Sequence, residues 1–150
     1  MLQLLCTNSD HPFFIELTAA LDKELASLYP QSQQHYAPLN KMPGNTTTLI
    51  ALLNDNPVGC GCFKKKDEET IEIKRMYVDP AHRGKGIANT ILTELENWAN
   101  ELSFSKARLE TGTKQHAAIH LYKKMGYHII ENYEPYINME TSICMFKILR

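Results

Sequence analysis

Around residue 80 the chain changes its period abruptly. TIEIKRMYV, from Thr70 to Val78, reads as a buried strand, and Asp79-Pro80 ends it. From Gly86 onward Ile87, Ile91, Leu92, Leu95, Trp98, Ala99 and Leu102 recur at the spacing of an amphipathic helix. Between the two lies Arg83-Gly84-Lys85-Gly86. A strand that feeds a helix through glycines belongs to an α/β fold, and in such sheets the turn between them is where ligands tend to bind.

The first backbone N–H groups of a helix have no internal partner and sit at the positive end of its dipole. Glycine lets a ligand come close to them. Arg83 adds a planar fork suited to phosphate oxygens, and Lys85 a mobile point charge. The turn therefore suits an anion, and a pyrophosphate fits it best. The spacing matches neither G-x-x-x-x-G-K-[ST] nor G-x-G-x-x-G, which argues against nucleotide and dinucleotide sites. A merely solvated basic loop is the plain alternative, and the short motif alone does not separate the two.

The rest of the chain continues the alternation. Ser9 or Asp10 is positioned to cap a first helix in which Pro12 suits the opening turn and Phe14, Leu17, Leu21, Leu25 and Leu28 form the apolar face. Residues from about Pro30 to Thr46 read as a loop with a short helix near Ala37 to Lys41. TLIALL and VGCGCFKKK form a hairpin around Asn54-Asp55-Asn56-Pro57, so TIEIKRMYV counts as the third strand. KARLET, a helix from about Lys114 to Met125 stopped by Gly126, YHIIE and SICMFKIL complete the pattern.

At 150 residues one domain spanning positions 1–150 is expected. A formal net charge of -1 gives no field for nucleic acid or an anionic membrane. The start MLQLLCTNSDH lacks a basic n-region and an apolar core, and no run approaches a membrane span, so a cytoplasmic protein is expected. Cys6, Cys60, Cys62 and Cys144 read as reduced packing residues, with Cys60 and Cys62 on one strand face. His116 and His120 stand four apart but have no evident third ligand, so no metal is expected.

EIKRMYVDPAHRGKGIANTIL, from Glu72 to Leu92, closely resembles the central motif of the GCN5-related N-acetyltransferase (GNAT) superfamily, R/Q-x-x-G-x-G/A, with Arg83, Gly86 and Ala88 in its fixed places. AAIHLYKKMGY, from Ala117 to Tyr127, resembles that family's second motif. Residues up to Asn45, where this family usually selects its substrates, match only in outline. The resemblance implies a mixed, mostly antiparallel central sheet flanked by helices and splayed between its fourth and fifth strands. The splay forms a V between TIEIKRMYV and the strand at Arg108 to Thr111.

It further implies that acetyl-CoA is the cosubstrate. Its pantetheine would pair with backbone at Met76, Tyr77 and Val78, and its pyrophosphate would lie on amides of Arg83, Gly84, Lys85, Gly86, Ile87 and Ala88. Glu72 stands where the family often has a carboxylate that takes the acceptor's proton, and a strand Glu paired with Lys74 or a neighbour is the alternative. Tyr122 stands where a tyrosine hydroxyl commonly protonates or hydrogen-bonds the departing CoA sulfur, the alternative being an aromatic packed with Ala118, Leu121 and Met125. Gln115 replaces the Asn common three residues before Ala118, so a CoA contact through Gln115 and Ala118 would use a longer arm. Tyr133, Tyr136, Asn138, Tyr29, Tyr36 and Lys74 are candidates for the acceptor side.

The implied reaction is direct transfer to a primary amine of a small molecule or peptide, by an enzyme that is commonly a homodimer in this family. A non-catalytic acyl-CoA-binding sensor or protein-interaction module is the rival. It would keep Arg83 to Ala88 and tolerate loss of Glu72 and Tyr122.

Overall fold

The computed structural model describes residues 1–149, apart from the side chains of Gln33 and Gln34. Seven strands form one mixed sheet in the order β1-β2-β3-β4-β5-β7-β6. They are β1 (Leu2–Asn8), β2 (Thr47–Leu53), β3 (Asn56–Lys65), β4 (Thr70–Val78), β5 (Lys106–Gly112), β6 (His128–Ile130) and β7 (Ser142–Ile148). The helices are α1 (Pro12–Leu28), α2 (Gln33–Tyr36), α3 (Ile87–Glu101) and α4 (His116–Lys124). β4 runs parallel to β5, whereas the β1–β2, β2–β3, β5–β7 and β6–β7 pairs are antiparallel. TIEIKRMYV is thus the fourth strand, because Leu2–Asn8 pairs with β2 as an edge strand that sequence reading left without an element. LQLLCTN lacks the clean period of two that announces a strand, which is why it escaped notice.

The chain divides into two compact units, one of Met1–Lys64 with Lys74–Leu95 and one of Lys65–Ile73 with Glu96–Arg150. In the first unit, α1 buries Phe14, Leu17 and Leu21 against Ile50, Cys60, Cys62 and Tyr77. The cap of α1 is neither Ser9 nor Asp10. His11 occupies that position and its Nδ1 accepts from the Phe13 N–H at 3.1 Å, because Pro12 is already the first helical residue. Ser9 instead hydrogen-bonds the Pro43 carbonyl. The hairpin turn is also tighter than expected: Asn54 and Asp55 alone take positive φ, at 51° and 66°, and Asn56-Pro57 already belongs to β3.

The GCGC run in β3 has two different faces. Cys60 and Cys62 share one, their thiols donating to the carbonyls of Arg75 and Lys74 at 3.4 and 3.3 Å, and burial pushes the Cys62 thiol up to about 12. None of the four cysteines is in a disulfide. The other face is bare backbone. A Cβ at Gly61 would collide with Met76 Sδ and sit 3.1 Å from both Ile91 and Leu95, so the glycine lets α3 lie directly on the strand.

In the second unit β7, last in sequence, lies between β5 and β6. Gly126, at φ 97°, closes the helical run after Met125. Tyr127 Oη and Lys147 Nζ both donate to the buried Glu96 carboxylate at 2.8 Å, which pairs that charge. Leu102, expected on the apolar face of α3, lies beyond its end and is 53% exposed. Among the described residues no helix is long and apolar enough to cross a membrane.

Candidate active site

The turn between β4 and α3 has the geometry that an anion cradle needs. Gly84 and Gly86 both sit at φ 79°, a left-handed conformation that disfavours side chains, and a Cβ built on either would meet nothing within 4 Å. The glycines are therefore required by backbone conformation and leave the amides open to a ligand. α3 begins directly after, at Ile87. Ile87 is buried and anchors the helix start, Ala88 is half-buried, and Lys85 is exposed.

Arg83 has protein partners of its own. Its Nε donates to the Val78 carbonyl at 2.8 Å, one Nη donates to Glu24 at 2.8 Å, and its guanidinium lies 5.6 Å from the Tyr77 ring centre. The fork thus braces the end of β4 against α1, while Lys85 is exposed.

Just upstream, Arg75 has φ 60°, an unusual value for a residue with a side chain in the middle of a strand. Its buried guanidinium donates to Asp22 Oδ1 at 2.6 Å and to the Thr18 carbonyl at 3.0 Å, which holds the distorted backbone in place. Such strain persists where surrounding contacts over-determine it, and it tends to mark functional sites. Met76, Tyr77 and Val78 follow immediately, Tyr77 and Val78 buried and Met76 half-buried. Lys74 is buried and sends Nζ to the Leu39 carbonyl at 3.0 Å.

Glu72 belongs to the second unit, where the parallel register sets it opposite Arg108. It is 4% exposed and so is no surface strand residue. Tyr133 Oη donates to Glu72 Oε2 at 3.0 Å, and an Arg108 Nη lies 3.7 Å from Glu72 Oε1. The Arg108 guanidinium stacks 3.7 Å from the centre of the Tyr133 ring. Burial, then the Glu72 charge, raises the Tyr133 phenol well above the ordinary tyrosine range, so it remains a donor. Sequence reading missed Arg108 as a site residue. Its only signal was a basic residue on the strand after α3, and the register that makes it a partner of Glu72 cannot be read without pairing the strands.

The parallel pairing of β4 with β5 runs from Thr70–Lys106 to Ile73–Leu109, while β5 itself extends to Gly112. Beyond the last pair Glu110 accepts from Ser142 Oγ at 2.7 Å. Tyr122, on α4, is 6% exposed and packs edge-on against Tyr127 at 5.9 Å. Burial chiefly, and Glu110 secondarily, pushes its phenol well up.

Gln115 precedes α4, and its Oε1 accepts from the Gly112 N–H at 2.8 Å. The longer amide arm folds back onto the strand end, and Ala118 is half-buried in the first turn of the helix. Of the loop candidates Tyr133 joins the Glu72 group, Tyr136 is buried and meets Tyr133 edge-on at 5.7 Å, and Asn138 is exposed. In the first unit Tyr29 and Tyr36 stack at 6.4 Å. His116 and His120 are exposed, and the described residues contain no cluster of three or more His, Cys, Asp or Glu able to hold a metal.

The chain is similar in sequence and fold to known proteins. The family model described as the acetyltransferase (GNAT) family matches residues 13–127. An IAA acetyltransferase of Azospirillum brasilense is 33% identical over 137 residues, which cover 90% of each chain. The solved structure of an acyl-CoA N-acyltransferase candidate from Klebsiella pneumoniae superposes with a TM-score of 0.83 at 34% identity, covering 100% of this chain and 99% of that one. A GNAT family acetyltransferase from Elizabethkingia anophelis, solved with acetyl-CoA bound, shares the fold with a TM-score of 0.72 at 20% identity, over 98% and 97% of the two chains. The chain belongs to the acetyltransferase (GNAT) family.

Proposed function

We propose that this chain is an N-acetyltransferase that moves an acetyl group directly from acetyl-CoA to a primary amine of a small molecule or peptide. The observation that carries the reading is the pair of left-handed glycines, Gly84 and Gly86, opening the helix that follows β4. The residues fit the cosubstrate: a Cβ at either position would intrude where the pyrophosphate lies, while Lys85 is free to add charge from solvent. The pantetheine adds to β4 at Met76 to Val78 as an extra strand would.

In the reaction Glu72 takes a proton from the acceptor ammonium, directly or through water, since only the free amine attacks a thioester. The amine nitrogen then bonds to the acetyl carbon, strand amides stabilise the charge that develops on the carbonyl oxygen, and the C–S bond breaks. Of the two protons the nitrogen gives up, one leaves through Glu72 to solvent and the other ends on the CoA thiol.

Burial, which pushes the Tyr122 phenol well above the ordinary tyrosine range, refines its role. A phenol held above the ordinary range is a poor proton donor to a thiolate, whose conjugate acid lies near 8.5, but it is a good hydrogen-bond donor. Tyr122 therefore stabilises the departing sulfur by hydrogen bonding, and the proton that the sulfur takes up is the second one given up by the amine.

A thiol-release assay with acetyl-CoA and a panel of amines, amino acids, polyamines and peptides tests the reading. Turnover of an amine is expected. Tight acetyl-CoA binding with no turnover of any acceptor would favour a non-catalytic acyl-CoA sensor.

A further inference from the structure

Arg108 is held in an incomplete arrangement. A guanidinium beside a buried carboxylate frequently meets it fork to fork, with two parallel hydrogen bonds. Here Tyr133 Oη occupies Glu72 Oε2, which leaves the Arg108 Nη at 3.7 Å from Oε1, beyond hydrogen-bond distance. Arg108 Nε is buried and finds no hydrogen-bond partner among the described residues. The next carboxylate on the strand, Glu110, is engaged by Ser142 Oγ at 2.7 Å. The stacked Tyr133 ring fixes the guanidinium plane without satisfying its donors. A purely structural arginine has little reason to remain so loosely paired, because an unsatisfied buried donor costs free energy.

A fixed cation and a fixed anion thus stand side by side, loosely coupled, on neighbouring strands. That is the electrostatic complement of a short amino acid, whose ammonium and carboxylate are also adjacent and opposite. We propose that the acceptor is an amino acid whose carboxylate is received by Arg108 while its ammonium faces Glu72. The proposal rests on the acetyl-transfer reading for what happens next, but not for the binding itself. Arg108 then determines specificity, Tyr133 keeps it in plane, and the acceptor completes the hydrogen bonding that Glu72 leaves unmade.

The test uses the full chain and a panel of α-amino acids, each paired with its own α-amide, which keeps the amine and side chain and removes the carboxylate charge. Turnover is followed by thiol release, and binding by ligand-observed NMR in the presence of CoA. The wild-type chain should prefer an acid over its amide by roughly 10- to 100-fold, the range for a charge-assisted pair. Arg108→Met should erase that preference while acetyl-CoA still raises the melting temperature. Arg108→Lys, which keeps the charge and loses the fork, should retain part of the preference and guards against a misfolded methionine variant.

Equal use of acids and amides by the wild type would overturn the proposal, as would an Arg108→Met variant that slows both equally. Failure of every amino acid either to bind or to react would do the same. Selective binding of the acids without acetylation would uphold the carboxylate site and sink the transfer reaction instead.

Discussion

Gly86→Ala separates what the β4–α3 turn does for the fold from what it does for the ligand. At φ 79° an L side chain costs roughly 1–3 kcal/mol in backbone strain, so the variant should be less stable. The new methyl meets nothing within 4 Å, so no collision inside the protein adds to that cost. It does enter the open space beside the start of α3, where the proposed pyrophosphate would lie. Each hydrogen bond from an amide to a charged phosphate oxygen is worth about 1.5–3 kcal/mol. Displacing two of them weakens acetyl-CoA by about 3–6 kcal/mol, or roughly 100- to 10,000-fold.

Titration calorimetry reads the loss directly, and a thermal melt reads it by linkage. At a ligand concentration of 100 Kd the wild type gains about 2.7 kcal/mol, a rise of roughly 5–10 °C for a chain of this size. The variant should lose that rise. Acetyl-pantetheine, which has no pyrophosphate, should be used equally by both proteins. Gly86→Glu, which adds negative charge, should abolish acetyl-CoA binding altogether. The reasoning fails if Gly86→Ala binds acetyl-CoA as tightly as the wild type, or if it loses acetyl-pantetheine in the same proportion.

Two further substitutions address other parts of the structure. Tyr122→Phe should lower turnover by roughly 10- to 100-fold with acetyl-CoA affinity unchanged, since it removes a hydrogen bond made only to developing charge; unchanged turnover would take Tyr122 out of the mechanism. Gly61→Ala should destabilise the chain by about 1–3 kcal/mol, because its Cβ collides with Met76 Sδ and crowds Ile91 and Leu95, and an unaltered melting temperature would contradict the close packing of α3 on β3.

The parts legible in the sequence were those in which chemistry and local structure coincide along the chain. RGKG announces a glycine-rich turn between a strand and a helix, and that turn is where Gly84 and Gly86 take positive φ. The two long helices were equally clear, since their apolar positions repeat over several turns. Of the Glu72 group, Glu72 and Tyr133 were legible as separate candidates, but neither Arg108 nor the meeting of the three was. Tyr133 and Glu72 lie 61 positions apart and Arg108 lies between them, so their meeting depends on strand order and register. No local pattern encodes that β7 inserts between β5 and β6. Arg75 was hidden for the opposite reason: its local sequence reads as plain strand, and the distortion is imposed by partners on α1.

Those partners change what α1 is for. Its apolar positions build the core, as the periodicity indicated, but its other residues act on β4. Thr18 and Asp22 hold Arg75 at one end of Met76–Val78, and Glu24 holds Arg83, which grips the Val78 carbonyl at the other. One helix thereby clamps both ends of the segment proposed to pair with pantetheine. The Glu24–Arg83 pair is too solvated to contribute much stability, with side chains 33% and 44% exposed, and such pairs are worth about 0–1 kcal/mol. Its contribution is positional. A strand that accepts a ligand as its next neighbour must present its N–H and C=O groups in fixed register before the ligand arrives, because any ordering left until binding is subtracted from affinity. The polar face of α1 does that ordering in advance.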